Sequence, residues 1–381
     1  MITTPQPDRP GQTARSVLSV PLSVLDRGGH APGTSGERAV LDLVDAARTA
    51  DACGYHRFWV AEHHASPRTA SSFPAVLIAH LATRTKHIRV GSGGVMLPNH
   101  PPFTVAEQFA TLQALHPGRI DLGVGRSTGG TTVTTMRLLE AALRRDPAAL
   151  SEFPAQLDEL LGFLYHRGPD RNRFHELPLA PRTATPPQVH LLGASEGSAR
   201  IAAERGLPFA HGYHLGLSQC RPEAVARKRS AFEPGPDDAR PHVLVSVNVV
   251  CADTDEQAET LALWTAGYRL DYPDGNAPTA PLPAARQEYL ARKALKDLQV
   301  VHGSPATVAA GLEAVAAELG ADEVMLVPYE LTGTARCRTL RLTASARQDR
   351  PAPEQLPRPE PSRRLAGSAA DLRMLTPAQP R

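Results

Sequence analysis

Residues 89–126 read RVGSGGVMLPNHPPFTVAEQFATLQALHPGRIDLGVGR and contain a strand, a helix and a second strand in succession. Apolar and β-branched residues form nearly continuous runs over 88–97 and 120–124. Between the runs, FTVAEQFATLQAL spaces its apolar residues as a helix does, and Gly118 follows the predicted helix end. Apolar strands joined by a helix are typical of a parallel sheet covered on both faces. This stretch therefore predicts one β-α-β unit.

The same unit recurs along the chain. Eight short apolar runs occur in order, and helical segments separate most of them; the runs cover 17–25, 57–61, 88–97, 120–124, 189–192, 209–213, 243–250 and 324–327. Eight such units favour a closed (β/α)8 TIM barrel over a doubly wound open sheet. We therefore predict an α/β barrel domain over 16–330, with insertions in the longer segments 131–188 and 269–298.

The two ends of the chain differ from the barrel. Residues 1–15 are predicted to form a disordered N-terminal segment. After 327, the sequence LTGTARCRTLRLTASARQ contains Gly333 and a poor apolar stripe, which predicts a weak or missing last helix. Residues 331–381 carry ten Arg against four acidic residues, together with seven Pro. This composition predicts a disordered tail and no nucleic-acid-binding surface, because aromatic residues do not alternate with the basic ones.

Composition excludes several other classes of protein. Hydrophobic residues make up 41% and charged residues 21%, and no apolar run approaches the roughly 20 residues that a membrane span needs. The N-terminus lacks the apolar core of a signal peptide, so a cytoplasmic location is expected. The four cysteines are too scattered for a disulfide framework or a zinc site and are predicted to be reduced thiols; they are Cys53, Cys220, Cys251 and Cys337.

The motif WVAEHH ends the second predicted strand and supplies Glu62, His63 and His64. TIM barrels carry their active sites at the C-terminal ends of the strands. An imidazole donates or accepts a proton near neutral pH, but neighbouring residues on a strand point to opposite faces. We therefore predict one catalytic histidine and one that binds backbone. A metal site is not predicted, because no third ligand stands at a recognised spacing.

Glycines and a second histidine pair follow other predicted strands. Gly91, Gly93 and Gly94 permit either the close approach of a flat ligand or an unusual peptide geometry, and a purely structural role is the alternative. In HGYH, His211 and His214 could join a pocket or serve as ordinary polar residues. Both groups lie where strand ends would line a barrel mouth.

The segment DLGVGRSTGG, which contains the fourth run, matches two short motifs. Residues 125–129 fit GxSxG, in which Ser127 would be the nucleophile of a serine hydrolase on a strand-to-helix elbow. The Thr-rich sequence that follows makes a poor helix immediately after such an elbow. The glycine spacing also loosely resembles a dinucleotide-binding loop, but no clear ribose-binding acid follows the next strand. Neither interpretation is favoured.

Residues 191–206, LLGASEGSARIAAERG, place Ser195 at a predicted helix N-cap and Ser198 in the first turn. Unpaired N–H groups and the dipole at a helix N-terminus attract phosphate, and hydroxyl groups add to this attraction. Capping alone explains Ser195, but it leaves Ser198 and the preceding Gly193 unassigned. The segment therefore predicts an anion site.

Several of these motifs together resemble the luciferase-like flavin-dependent monooxygenase family. The resemblance rests on AEHH, SSFPAVLIAHLATRT, residues 89–126, GASEGSARIAAERGLPFA and VHGSPATVAAGLEAVAAELGADEVMLV. It covers roughly residues 16–330, is closest to the subgroup associated with natural-product tailoring, and implies a (β/α)8 barrel. The Thr-rich run after GRSTGG and the poor last helix depart from the family pattern.

The resemblance also implies roles for particular residues. His63 matches the family's active-site histidine beside the reactive carbon of the flavin, and Glu62 is assigned to the cofactor-binding set. Gly93 and Gly94 match a non-proline cis peptide under the isoalloxazine ring. The remaining cofactor-binding residues match a basic residue and two hydroxyl ligands of the flavin phosphate; they are Arg126, Ser195 and Ser198.

The reaction that the resemblance implies uses reduced FMN, supplied by a separate NAD(P)H-dependent flavin reductase. Reduced FMN would react with O2 to give a peroxyflavin that oxygenates a small organic substrate, and His63 would donate a proton to the peroxyflavin or stabilise it. A homodimer is also expected. Three alternatives remain open: an F420-dependent oxidoreductase on the same barrel, a serine hydrolase using Ser127, and a flavin-binding protein without turnover.

Overall fold

The computed structural model describes residues 19–31, 33–129, 132–165, 177–220, 222–235, 240–271 and 282–346. Within these ranges the strands are β1 (Leu22–Asp26), β2 (Arg57–Val60), β3 (Arg89–Met96), β4 (Ile120–Gly125), β5 (Gln188–Gly193), β6 (Phe209–His211), β7 (Val243–Cys251), β8 (Val301–Gly303) and β9 (Glu323–Pro328). The α-helices are α1 (Gly36–Ala52), α2 (Pro74–Arg84), α3 (Pro102–Leu115), α4 (Val133–Ala142), α5 (Phe153–Tyr165), α6 (Glu196–Glu204), α7 (Glu223–Ser230), α8 (Asp255–Asp271), α9 (Ala284–Asp297), α10 (Pro305–Leu319) and α11 (Gly333–Ser345). The segments predicted to be disordered, 1–15 and the part of the tail beyond 346, lie outside the described residues.

Eight of the strands close into a parallel barrel. β1 to β6 pair in chain order, β6 pairs with β7, and β9 lies between β7 and β1. Val24 of β1 aligns with Phe58 of β2 on one side and with Leu326 of β9 on the other. This arrangement confirms the (β/α)8 prediction, and the eight apolar runs of the sequence correspond to the eight barrel strands.

The sequence pattern does not predict the short strand β8. It pairs with the end of β7, where Val250 aligns with His302, and it is not part of the barrel circuit. Its three residues, VHG, are too few to form a recognisable apolar run. The predicted insertions contain helices: α4 and α5 lie in the first, and α9 lies in the second.

The inside of the barrel is built by alternate residues of its strands. Leu25, Trp59, Leu244 and Met325 belong to an apolar cluster in its middle. A larger apolar cluster fills the space between the strands and the surrounding helices. Because side chains alternate across a strand, residues two apart share the barrel-facing side. This alternation decides which residues just past the strand ends face the barrel mouth.

The N-terminal end of the barrel holds a buried ion network. Arg57 donates from Nε to both carboxylate oxygens of Glu323 at 3.1 Å, and from Nη1 to Asp121 Oδ2 at 2.9 Å. Trp59 Nε1 also donates to Asp121 Oδ2, at 2.9 Å. Burial alone would raise the pKa of both carboxyl groups, but the charge of Arg57 holds each pKa below its usual range. Both carboxylates are therefore charged although they are buried.

The last helix is formed, so the prediction of a weak or missing one is wrong. α11 begins after Thr332, whose side chain accepts a backbone hydrogen bond at 3.3 Å. Its buried face is partly polar: Arg336 Nε lies 3.2 Å from Asp26 Oδ2, and Thr339 Oγ1 accepts a hydrogen bond from Cys251 N at 2.9 Å. The weak apolar stripe does not predict this helix, because paired polar groups form much of its contact with the barrel.

The described cysteines and helices show no disulfide bond and no membrane span. All four cysteines are free; Cys53 is half-buried and the other three are buried. Burial raises the pKa of the Cys251 thiol to about 11, so that thiol stays protonated at neutral pH. Within the described ranges, no helix is both long enough and apolar enough to cross a membrane.

Candidate active site

The predicted site residues follow four consecutive strands at one end of the barrel. β2, β3, β4 and β5 are neighbours in the sheet, and parallel strands end at the same rim. The residues are Glu62 and His63 after β2, Gly93 and Gly94 in β3, Arg126 after β4, and Ser195 and Ser198 after β5. The fold therefore brings the whole predicted set to the C-terminal rim.

His63 lies two residues beyond Ala61, which belongs to the apolar cluster inside the barrel. Its backbone N–H donates to Ser71 O at 2.8 Å, while its ring Nδ1 is buried and has no hydrogen-bond partner among the described residues. Burial and the positive charge of Arg27 lower the pKa of His63 to about 4. The ring is therefore neutral at pH 7 and carries one N–H and one lone pair.

Glu62 binds two histidines through one carboxylate oxygen. Its Oε1 accepts hydrogen bonds from His64 Nε2 at 2.7 Å and from His100 Nε2 at 2.8 Å, and its Oε2 accepts one from Met96 N at 3.1 Å. Burial alone would raise the pKa of Glu62, but the hydrogen bonds from His100 and His64 lower it. The cluster ties the segment after β2 to the end of β3.

This cluster changes two expectations from the sequence. His64 binds a carboxylate and not backbone, so the role predicted for the second histidine is wrong. The fold also brings His100 close enough to make a set of three metal-binding groups, which sequence spacing did not indicate. Both imidazoles lie at hydrogen-bonding distance from the same oxygen of Glu62. Because Glu62 is engaged by protein groups, its part in a cofactor site would be to hold its neighbours.

The peptide bond between Gly93 and Gly94 is cis, as the resemblance implied. A Cβ at Gly93 would lie 2.5 Å from Leu25 Cδ1, and one at Gly94 would lie 2.9 Å from a backbone oxygen of β4. A Cβ at Gly91 would lie 2.6 Å from Asp121 Cβ. Packing inside the barrel therefore requires glycine at positions 91 and 94, whereas at position 93 the end of the Leu25 side chain would have to move aside.

Ser195 and Ser198 form a reciprocal capping box at the start of α6. Each Oγ accepts a hydrogen bond from the other residue's backbone N–H at 3.3 Å, and Ser198 Oγ also donates to Ser195 O at 2.7 Å. A Cβ at Gly193 would overlap the Ser198 hydroxyl, so this glycine makes room for the box. Capping thus accounts for Ser198 and Gly193 as well, which sequence reasoning leaves unassigned.

Arg126 and Ser127 follow β4, and both are exposed. Ser127 Oγ accepts a hydrogen bond from Gly129 N at 3.4 Å, and no histidine is hydrogen-bonded to it within the described part of the chain. The next helix begins only at Val133, so Ser127 does not stand on a strand-to-helix elbow. This geometry gives no support to a serine hydrolase.

The two histidines of HGYH have different environments. His211 in β6 is fully buried, and its Nε2 lies 3.0 Å from a cysteine sulfur. His214 lies past the end of β6, with its Nδ1 2.7 Å from Ser246 Oγ. Burial, together with the charges of Arg27 and His63, lowers the pKa of His214 to about 3. His214 therefore lies near His63 at the barrel mouth, whereas His211 belongs to the core.

Comparison with known proteins agrees with this architecture. The family model described as luciferase-like monooxygenase matches residues 20–323, so the chain belongs to the luciferase-like monooxygenase family. A luciferase-like monooxygenase of Escherichia coli strain K12 is 35% identical over 340 residues, which cover 87% of this chain and 98% of that protein. The N-acetyl-S-alkylcysteine monooxygenase of Bacillus subtilis strain 168 is 34% identical over 301 residues, which cover 78% of this chain and 87% of that protein.

Solved structures share the barrel. Apo-MsnO8 is 33% identical, with a TM-score of 0.72, and the match covers 86% of this chain and 98% of that one. Two more distant structures share the fold alone. The oxygenating constituent of 3,6-diketocamphane monooxygenase from Pseudomonas putida, in complex with FMN, is 18% identical with a TM-score of 0.63, covering 86% and 98% of the two chains. An F420-dependent secondary alcohol dehydrogenase is 11% identical with a TM-score of 0.55, covering 87% and 99%.

Proposed function

We propose that this protein is a flavin-dependent monooxygenase that uses reduced FMN and O2 to oxygenate a small organic substrate. The observation that carries the proposal is the neutral ring of His63, whose buried Nδ1 has no protein partner among the described residues at the barrel mouth. Reduced FMN, when bound, would supply the activation of O2, which side chains alone cannot perform. The protein would supply binding, orientation and the exclusion of water.

The role proposed for His63 is hydrogen bonding in its neutral form. Because burial and Arg27 lower the pKa to about 4, the ring carries one N–H and one lone pair at pH 7. Direct proton donation from an imidazolium form of His63 would need a charge that this site disfavours. A neutral ring still holds a hydrogen bond at the reactive edge of a flavin, and it can pass on a proton that it has accepted.

The proposed cofactor position follows the strand order along the rim. The phosphate would bind at the N-terminus of α6, where Ser195 is exposed and the helix dipole favours an anion. Arg126, after the neighbouring strand β4, would add a charge-assisted contact. Gly93 and Gly94 on β3 would lie under the ring, between the phosphate and His63. A separate NAD(P)H-dependent reductase would supply reduced FMN.

An F420-dependent hydride transfer is the second candidate, because an F420-dependent enzyme shares this fold. Spectral titrations with FMN, reduced FMN and F420 distinguish the two. Tighter binding of F420 than of FMN would contradict the proposal. Binding of FMN without any reaction of the reduced complex with O2 would make the protein a flavin-binding protein without turnover.

The variant that tests the proposed chemistry is His63→Ala. We expect it to bind FMN nearly as well as the wild type, but its bound reduced flavin should reoxidise in air about tenfold faster, because one hydrogen bond worth about 1.4 kcal/mol is lost. Stopped-flow absorbance of oxidised flavin measures this rate. His80→Ala, at an exposed position on α2, is the control and should behave like the wild type. A fall in FMN affinity with an unchanged rate would make His63 a binding residue only.

A homodimer formed through the outer helices is also part of the proposal. Leu41, Val76 and Leu115 on α1, α2 and α3 are large apolar side chains that are more than half exposed, and burying them on association would be favourable. We expect sedimentation velocity of the dilute wild type to give a dimer. Val76→Lys should shift the equilibrium toward monomer, because its charge would be buried on association. A monomeric wild type would contradict this expectation.

A further inference from the structure

Arg27 faces the barrel mouth beside His63. Ser23 and Leu25 of β1 point into the barrel, where Ser23 donates a hydrogen bond to Glu323 and Leu25 joins the central apolar cluster. Two residues further along, Arg27 lies on the same side, one position past the strand end. Its charge contributes to the lowered pKa of His63, after the larger effect of burial. Continuing the register of β1 and β2 beyond Asp26 and Val60 sets Arg27 level with Ala61, two residues before His63, so a guanidinium group lies close to the proposed site of chemistry.

A second arginine reaches the same part of the rim from α8. The guanidinium carbon of Arg269 lies 4.6 Å from the centre of the Tyr329 ring, and its Nη2 donates to Tyr329 O at 3.0 Å. Tyr329 follows β9. Continuing the register of β1 and β9 beyond Val24 and Leu326 sets Tyr329 level with Arg27. Tyr329 thus holds Arg269 at the C-terminal end of β9, next to the end of β1 where Arg27 lies.

A third arginine, Arg68, belongs to the loop after β2. The hydrogen bond from His30 N to Arg68 O, 3.1 Å long, holds this loop against the residues that follow Arg27. In addition to burial, the charge of Arg68 lowers the pKa of both Arg27 and Arg269. Arg68 therefore adds positive charge to the part of the rim that holds Arg27 and Arg269.

The carboxylates described near Arg27 and Arg269 are otherwise engaged. Among the described residues, neither Arg27 nor Arg269 forms an ion pair, and the buried Nε of Arg269 has no hydrogen-bond partner. Asp26 lies 3.2 Å from Arg336. Burial raises the pKa of Glu330 to about 7, so it is only partly charged at neutral pH. Clustered guanidinium groups of this kind are stabilised when an anion binds between them.

We propose that Arg27 and Arg269 form a binding site for a carboxylate group of the organic substrate. The inference rests on the proposed function, since it places this carboxylate beside His63, where oxygenation would occur. Guanidinium groups bind carboxylates through paired, charge-assisted hydrogen bonds. The substrate class is therefore a small organic acid.

The arginine site is separate from the proposed phosphate site. Arg27 and Tyr329 follow β1 and β9, whereas Arg126 and Ser195 follow β4 and β5, on the opposite side of the barrel circuit. A flavin lying across β3 and β2 would have its phosphate on one side of the mouth and its reactive edge toward the arginines. One cationic site would then serve the cofactor and the other the substrate.

The test compares phenylacetate with its neutral amide, phenylacetamide, by calorimetric titration of flavin-free and FMN-loaded protein. We expect the wild type to bind the acid at least about tenfold more tightly than the amide, because charge-assisted hydrogen bonds distinguish the two. Arg27→Met and Arg269→Met should lose this preference and bind the amide as before. Arg338→Met is the control, because the Arg338 guanidinium is exposed and pairs with Asp253, and it should keep the preference.

Three results would overturn the proposal. They are equal affinity of the wild type for acid and amide, no binding of the acid, and an unchanged preference in Arg27→Met. The arginines could instead bind the flavin phosphate. Titrations of Arg27→Met with FMN and riboflavin test this alternative. Loss of FMN affinity with riboflavin affinity kept would assign the arginines to the flavin phosphate and would also overturn it. If the wild type fails to bind FMN but prefers the acid when flavin-free, the proposed function fails and the arginine site stands.

Discussion

Replacing Ser195 and Ser198 together by alanine is expected to weaken FMN binding by about a hundredfold or more and to leave riboflavin binding nearly unchanged. The two hydroxyl groups would lose hydrogen bonds to a charged phosphate, each typically worth about 1.5 to 3 kcal/mol, while backbone N–H groups of α6 keep part of the affinity. Riboflavin lacks the phosphate, so its binding should not depend on either serine. Quenching of flavin fluorescence measures both affinities.

The capping box makes a structural control necessary. Both serines cap α6, and the loss of a cap typically costs about 1 kcal/mol of stability. Ser304 also caps a helix, since it accepts a hydrogen bond from Thr307 N at 3.5 Å at the start of α10. Ser304→Ala should lower the thermal unfolding temperature without changing FMN affinity. If the double variant binds FMN as tightly as Ser304→Ala does, the phosphate site lies elsewhere.

The barrel strands could be predicted because parallel strands that are covered on both faces must be apolar almost throughout. All nine residues of β7 are buried, and its sequence reads VLVSVNVVC. The last helix could not be predicted in this way, since Arg336 and Thr339 are buried only because Asp26 and Cys251 provide partners. Those partners come from strands far away in sequence. Composition along one helix does not reveal groups that only the closed barrel brings together.

Among the site residues too, those with a local sequence signal could be predicted, and those placed only by distant contacts could not. His63 and the two serines follow apolar runs directly, so their place at the rim is visible in the sequence. His100 reaches Glu62 by a 2.8 Å hydrogen bond from beyond β3, and Arg269 lies within a helix, so neither has a local signal. Arg27 does have one, because it continues the two-residue alternation of β1 past the strand end. Extending that alternation beyond each strand therefore identifies groups that face the mouth of a closed barrel.

Arg57→Ala is expected to destabilise the barrel by about 3 to 5 kcal/mol, because buried Glu323 loses the guanidinium that pairs with it, while Asp121 keeps its ion pair with Arg89. The Arg57 side chain is only 6% exposed and contacts both Asp121, at 2.9 Å, and Glu323, at 3.1 Å. Urea unfolding followed by circular dichroism measures the loss. Arg57→Lys should recover part of it, since the charge remains but the paired geometry does not.

The pH dependence separates a charge effect from a packing effect. In the wild type the pKa values of Asp121 and Glu323 lie below their usual range, so their contribution to stability is present above about pH 4 and is lost as the pH falls. Without Arg57, Glu323 keeps His242 at 3.3 Å, and burial would raise its pKa above that of the unfolded chain. The free energy of unfolding of the variant should then rise as the pH falls. Its difference from that of the wild type should therefore shrink between pH 8 and pH 5.

Arg292→Ala is the matched control for this prediction. Arg292 also contacts two carboxylates, Glu259 and Glu288, but its side chain is 52% exposed. Because exposed ion pairs contribute little to stability, this variant should unfold like the wild type at both pH values. If Arg57→Ala also unfolds like the wild type, the buried network does not stabilise the barrel. A deficit that stays the same from pH 8 to pH 5 would show that the barrel requires the packing of the Arg57 side chain more than its charge.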